Sequence, residues 1–144
     1  MMKRSLVIVL VFLFLILGLA GCTKSENKTD VTMTIKKGTL TSSGATVVLA
    51  NKSDKKNIFT QLYAIEVKKG FKWNELEKIT YLHSPKFYLL PGESREMKLN
   101  WEIKYMKLEK GTYRLRKEIS YILENGESKT FNVYTKFFID SNKK

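Results

Sequence analysis

The chain carries one cysteine and one histidine among its 144 residues, and that scarcity limits what its side chains can do. A single cysteine allows no internal disulfide and no cysteine-built zinc site. A single histidine allows no multi-histidine metal cluster, so no metal site is expected. Neither Gly-x-Gly-x-x-Gly nor a Walker-type loop occurs, and no cofactor is expected. A nucleophilic triad needs a base beside its nucleophile. The one histidine, His83 in Tyr81-Leu-His-Ser-Pro85, reads instead as a loop residue, and no Gly-x-Ser-x-Gly elbow accompanies it. Paired carboxylates offer one catalytic alternative: Glu75 and Glu77 share parity on an expected strand beside Trp73, an aromatic able to stack on sugar. Two carboxylates flanking a glycosidic bond would make a glycan hydrolase. Solvated charge on a strand edge explains the same pair more simply. The chain therefore reads as non-catalytic, with no catalytic residue assigned.

Cys22 has more to offer. It ends the segment MMKRSLVIVLVFLFLILGLAGC, in which Lys3 and Arg4 precede fifteen residues, Leu6 to Ala20, without a charged or polar side chain. A membrane-spanning helix needs about 20 apolar residues, so this run is short for a span and fits a secretory h-region. Leu19-Ala20-Gly21-Cys22 resembles the lipobox of bacterial lipoproteins: an aliphatic residue, two small ones, then the cysteine. The resemblance implies transfer of a diacylglyceryl group to the Cys22 sulfur, cleavage between Gly21 and Cys22, and often palmitate-type acylation of the new amine. Two buried chains anchor a protein stably where one does so marginally. The expected partner is thus a membrane, reached through lipid on Cys22, on its extracytoplasmic face. In an envelope with two membranes, Thr23 supplies no aspartate-type retention signal, so outer-membrane sorting is expected.

The expected organisation is a signal peptide over 1–21, a polar tether over 22–30, a folded domain over 31–140 and a basic tail over 141–144. The eight tether residues after Cys22 reach at most ~29 Å, which holds the domain close to the membrane. Within the domain, Gly38, Gly44, Gly70, Gly92, Gly111 and Gly126 separate short alternating runs. Val31, Met33 and Ile35 share one face; Ala45 to Ala50 is β-branched; Tyr63, Ile65 and Val67 alternate, then return through Phe71, Trp73 and Glu75 after a Lys69-Gly70 tip. Met97, Leu99 and Trp101 follow Pro91-Gly92, and the face of Tyr113, Leu115, Ile119 and Tyr121 is interrupted by Lys117. Asn125-Gly126 suits a tight turn with both residues at φ > 0, before Phe131 to Ile139. Seven strands with open edges predict an all-β, antiparallel two-layer sandwich with both tryptophans in its core. Tyr81 to Leu90 and Ile103 to Leu108 fit no strand, and either has room for a helical turn.

These residues in order resemble a family of bacterial immunoglobulin-like domains found in secreted and lipid-anchored proteins, mostly of Gram-positive bacteria. The resemblance rests on Val31-Thr-Met-Thr, Gly38-Thr-Leu-Thr-Ser-Ser-Gly-Ala45-Thr, Asn51 with Ser53, and Ile65-Glu66. It continues through Trp73 with Glu75-Leu76, Pro91-Gly92-Glu93-Ser94, Trp101, and Gly111-Thr-Tyr113-Arg114 before Lys117-Glu118. It implies an immunoglobulin-like fold and brings no catalytic residue. Leu108 to Tyr113 also resembles a tyrosine corner, although Glu109-Lys110-Gly111 stands where proline is expected before the glycine.

Charge supplies the last signal. Lys and Arg number 26 against 14 Asp and Glu. Nucleic acid is disfavoured by the extracytoplasmic address and by the dominance of lysine over arginine. In immunoglobulin topology, Lys36 and Lys37, Lys68, Lys69 and Lys72, and Lys107 and Lys110 fall in connections at the end opposite the start of the first strand, offset mainly by Glu109. Such a cap would attract anionic cell-wall polymer more than the membrane beneath it, and an envelope protein is the other expected partner. An inhibitor or sensor subunit is a third reading of a catalytically empty domain. For the anchor, Cys22→Ser is expected to abolish metabolic labelling with a fatty-acid analogue and to block leader removal; a labelled Cys22→Ser protein would refute the lipidation site.

Overall fold

The computed structural model describes residues 30–78 and 83–140. The leader, Gly21, Cys22, all but the last residue of the tether, and the basic tail lie outside these residues. The described chain folds as nine strands and one helical turn: β1 (Val31–Ile35), β2 (Gly44–Asn51), β3 (Asn57–Phe59), β4 (Ala64–Lys69), β5 (Lys72–Glu75), β6 (Phe87–Leu89), β7 (Ser94–Asn100), α1 (Glu102–Tyr105), β8 (Gly111–Ile122) and β9 (Ser128–Ile139). One sheet has the order β1-β2-β7; the other has β5-β4-β8-β3-β6, with β9 on the remaining edge of β8. Every pairing is antiparallel. The expected all-β immunoglobulin-like sandwich is the fold. β3 and β6, three residues each, are too short to show a period in the sequence. The one-turn helix lies in the stretch from Ile103 to Leu108, beginning one residue earlier.

Alternation decides which side chains face inward. Val31 and Met33, Ala45, Val47 and Leu49, Leu99, and Tyr113, Leu115 and Ile119 are all buried, as are Val133, Phe137 and Ile139. Trp101 is fully buried; its ring stacks on Phe137 at 5.4 Å, and Phe137 stacks on Tyr113 at 5.6 Å. The Trp101 indole N–H donates to the Ser42 carbonyl at 2.8 Å, which ties the end of β7 to the β1–β2 connection of the same sheet, while the Phe137 stack reaches the other sheet. Trp73 departs from the expectation. It stands on the outer face of the second sheet with Arg114 4.7 Å above its ring, because β5 is an edge strand whose alternate side chains both reach solvent or a neighbouring strand's outer face.

The turns follow their residues. Gly70 has φ +60° and opens a two-residue hairpin whose first central position needs a left-handed conformation. At Asn125-Gly126 only the glycine has positive φ, at +85°. The Gly126 N–H donates to Leu123 O and the Leu123 N–H to Glu127 O, so the turn is one residue longer than a two-residue hairpin and does not ask Asn125 to leave the ordinary region. The tyrosine corner forms without proline: the Tyr113 hydroxyl donates to Glu109 O at 2.9 Å. Asn51 and Ser53 close the opposite end. The Asn51 amide donates to Lys55 O and Leu89 O, and its oxygen accepts from the Ser53 N–H and hydroxyl.

β3 and β4 are two halves of one broken strand. Both pair with the same edge of β8, but six steps from Ile58 to Ala64 oppose only four from Ser120 to Arg116. The two extra residues make Thr60–Tyr63 bulge out of the sheet. β4 therefore begins at Ala64, and Tyr63, the first residue of the expected Tyr63, Ile65 and Val67 alternation, falls in the bulge.

Trp101→Ala is expected to cost about 3–5 kcal/mol, because it opens a cavity in the core and removes one of the two donors, the indole N–H and the Leu108 N–H, that Ser42 O accepts. Urea unfolding of the variant beside the wild type measures it, and a loss under ~1 kcal/mol would contradict the central place given to this residue.

Candidate functional site

The strand registers fix which loops share an end. Ile35 lies opposite Val47 and Gly44 opposite Asn100, so the β1–β2 connection and the end of β7 coincide. In the other sheet Lys69 pairs with Lys72, Val67 with Tyr113 and Gly111 with Ile139. The Trp101–Phe137 stack and the bond from Leu108 N–H to Ser42 O join these ends. Lys36, Lys37, Lys68, Lys69, Lys72, Lys107 and Lys110 are therefore at one end, all exposed, and Asp30 is at the other. Their charge is more offset than the sequence suggests. Lys36 donates to both oxygens of Glu96 at 2.7 and 3.0 Å, and Lys107 stands 3.9 Å from Glu102. Among the described residues, Lys37, Lys69, Lys72 and Lys110 take part in neither of these pairs. Phe71, expected on a returning strand, is the second residue of the Gly70 turn and is fully exposed among Lys68, Lys69 and Lys72.

The paired carboxylates do not meet as a catalytic pair. β5 ends at Glu75, and Glu77 lies beyond it in a loop. Glu75 binds Lys78 at 3.0 Å and Arg116 beside it. Lys78 first, then Arg116, hold its carboxyl below the ordinary range, which suits a fixed anion and not a proton donor. Arg116 also binds the buried Glu66, as does Arg114, whose guanidinium is held between Trp73 and Tyr134. Trp73 is thus occupied by a cation and does not stand clear as a sugar platform. His83 is exposed in a loop, as expected.

That loop borders a pocket of about 420 Å³ on one side of the sandwich, a feature the sequence did not announce. Its walls come from β7 (Arg95 to Asn100), from Phe59 and the bulge residues Gln61, Leu62 and Tyr63, from His83, Ser84 and Phe87, and from Lys104 of α1. Phe59 and Phe87 stack at 5.7 Å. Lys104 is 4% exposed, with its Nζ 4.6 Å from the centre of the Tyr63 ring. Behind Phe59 lies Lys117, which interrupts an apolar face in the sequence and points into the core, 1% exposed. Its ammonium lies 5.3 Å from the Phe59 ring and donates to Thr60 O and to Leu62 O. Burial, and then the charge of Lys104, push the Lys117 pKa down to about 8. Burial and the charge of Lys78 lower Lys104 as well.

These shifts give stability a definite pH dependence. Below pH 8 both folded and unfolded chains hold the Lys117 proton, and the folded state bears the full cost of a buried charge. Between about 8 and 10.5 the folded state releases a proton that the unfolded chain keeps, so stability rises with pH by up to about 3 kcal/mol. Burial raises Tyr105 to about 12 and Tyr63 further. Unfolded tyrosines ionise near pH 10 while these stay neutral, so stability falls again above that value. Urea midpoints are expected to climb from pH 8 to 10 in the wild type. Lys117→Met is expected to lose most of that climb whatever its stability at pH 7, and an unchanged slope would refute the assignment.

A family model described as a bacterial Ig-like domain matches residues 27–138. No curated protein and no solved structure matches the chain. The match covers all nine strands but the last residue of β9, and takes in the Asn51 closure, the Pro91-Gly92 turn, Trp101 and the Tyr113 corner. With its two antiparallel sheets and the corner in place, the chain belongs to the bacterial Ig-like domain family.

Proposed function

We propose that the mature protein is a lipid-anchored extracytoplasmic module, held on a membrane through Cys22, whose lysine-rich end binds anionic cell-wall polymer without catalysis. Family membership supports an interaction module, and the leader ending in Leu19-Ala20-Gly21-Cys22 supports the anchor. The observation that carries the binding reading is the gathering of Lys37, Lys69, Lys72 and Lys110 on three separate connections at the end opposite Asp30. A domain tethered at Asp30 turns that end away from the membrane and toward the wall. Phe71 adds an exposed ring among these cations, an apolar surface for a sugar or alditol face. Exposed ion pairs contribute roughly 0.2–1 kcal/mol each and weaken with salt. Useful affinity therefore needs several contacts along a repeating polyanion.

The test is retention of the leaderless Cys22→Ser protein on purified wall polymer across a salt series. Lys37→Glu with Lys69→Glu and Lys110→Glu is expected to lower affinity about tenfold or more and to flatten the salt dependence. Lys52→Glu with Lys55→Glu and Lys129→Glu, an equal change of charge at the other end, is expected to matter much less. Equal losses from the two sets would make net charge the cause and overturn the cap.

A further inference from the structure

We propose that the pocket between β7 and the break separating β3 from β4 binds a small oxyanion carried on an apolar body, with Lys104 as its charge partner. The ligand class is a carboxylate or phosphate monoester of an aromatic or short aliphatic molecule. This site is separate from the lysine cap and does not depend on it.

The position of Lys104 carries the argument. The amine belongs to a single helical turn that begins at Trp101, and the Lys104 N–H donates to Trp101 O at 3.0 Å. Because Trp101 is wedged in the core, the backbone of Lys104 is held rigidly and its side chain runs inward along Tyr63. A lysine is rarely so buried without a carboxylate partner. Among the described residues Lys104 makes no ion pair, and the charges that act on it and its buried neighbour are themselves cations: Lys78 on Lys104, and Lys104 on Lys117. The carboxylates of β7, of the turn before it and of the end of β5 serve other groups. Glu96 is bound through both oxygens by Lys36, Glu93 holds Arg95 at 3.0 Å, and Glu75 holds Lys78 and Arg116. The pocket is thus lined by a lysine that is 4% exposed and makes no ion pair among the described residues, while Glu96, the one carboxylate in the lining, is bound by Lys36. An incoming oxyanion would supply an anion for it.

The remaining walls select the body of the ligand. Phe59, Phe87, Tyr63, Leu62 and Met97 give one part of the wall an apolar and aromatic surface, beside polar walls from Gln61, His83, Ser84, Lys98 and Asn100, and about 420 Å³ suits a molecule the size of a substituted benzene with room for its shell. The Phe59 ring has Lys117 5.3 Å and Arg95 5.9 Å from its centre and stacks on Phe87 at 5.7 Å. The lining is therefore braced before a ligand arrives, and little ordering cost remains to be met on binding.

Full-length protein in phosphatidylcholine nanodiscs, titrated calorimetrically with phenyl phosphate, phenylacetate and neutral benzyl alcohol, tests the site. Both anions are expected to bind, each roughly tenfold or more tighter than the alcohol. The tighter of the two assigns the headgroup. Lys104→Met is expected to lose that advantage while leaving the alcohol unaffected, and Lys104→Arg is expected to keep much of it. The melting temperature of Lys104→Met is expected to hold or rise, since a buried cation has been removed, so weaker binding cannot be put down to unfolding. The variant Lys37→Glu with Lys69→Glu and Lys110→Glu is expected to bind the anions as the wild type does. The proposal falls if neither anion binds, if the alcohol binds equally well, if Lys104→Met binds undiminished, or if the cap variant loses the ligand.

Discussion

Thr60 and Leu62 lie where the strand beside β8 breaks, and their carbonyls turn inward to the Lys117 ammonium. An unpaired carbonyl in a protein interior costs about 1–3 kcal/mol, and a buried charge costs more unless hydrogen-bonded. Each problem answers the other here: the ammonium needs acceptors and the bulge needs a donor. The break in turn lets β4 pair with β5 above it while β3 pairs with β6 below. One long strand would have offered a single neighbour a continuous edge. The split edge spreads two short strands around the side of the sandwich, and the space between them and β7 is the pocket.

The two surfaces singled out here answer to different physics. The lysine cap is a product of topology: connections on alternate sides of two sheets return to the same end, and residues far apart in the chain become neighbours. Its charges are hydrated and individually weak. Lys104 is a product of packing, one residue whose backbone is fixed by the residue three before it and whose ammonium lies over the Tyr63 ring. Under the proposed reading the first surface would meet long, repetitive anions in fast exchange, and the second would hold one small molecule.

Much of this architecture was legible in the sequence. Alternation over β1, β2, β7, β8 and β9 identified strand and inward face together, because side chains in a strand change sides at every residue. Turn glycines marked most boundaries. Alternation does not say which of two faces is the inner one on an edge strand, so Trp73 and Glu75 were correctly grouped while Trp73 was placed in the core and not over Arg114. It flagged Lys117 as an interruption without revealing the bulge that gives the amine its purpose, since that bulge depends on a register between segments some sixty residues apart. Lys104 carried no signal at all. A lysine on one turn of helix looks like any exposed lysine until the tertiary contacts of Trp101 direct it inward.

The ends of the described domain face opposite ways along the strands. Asp30 leads into β1 at one end, and β9 finishes with Ile139 at the other. Under the proposed anchorage, a pull from the tether would enter at Asp30 while a hold on the cap would be applied at the far end. Tension between them runs parallel to the strand axes. The five residue pairs of β1 with β2 would then be loaded together in shear instead of being peeled apart one after another. A domain strung between a lipid and a wall in this geometry would resist stretching as a cleat holds a rope.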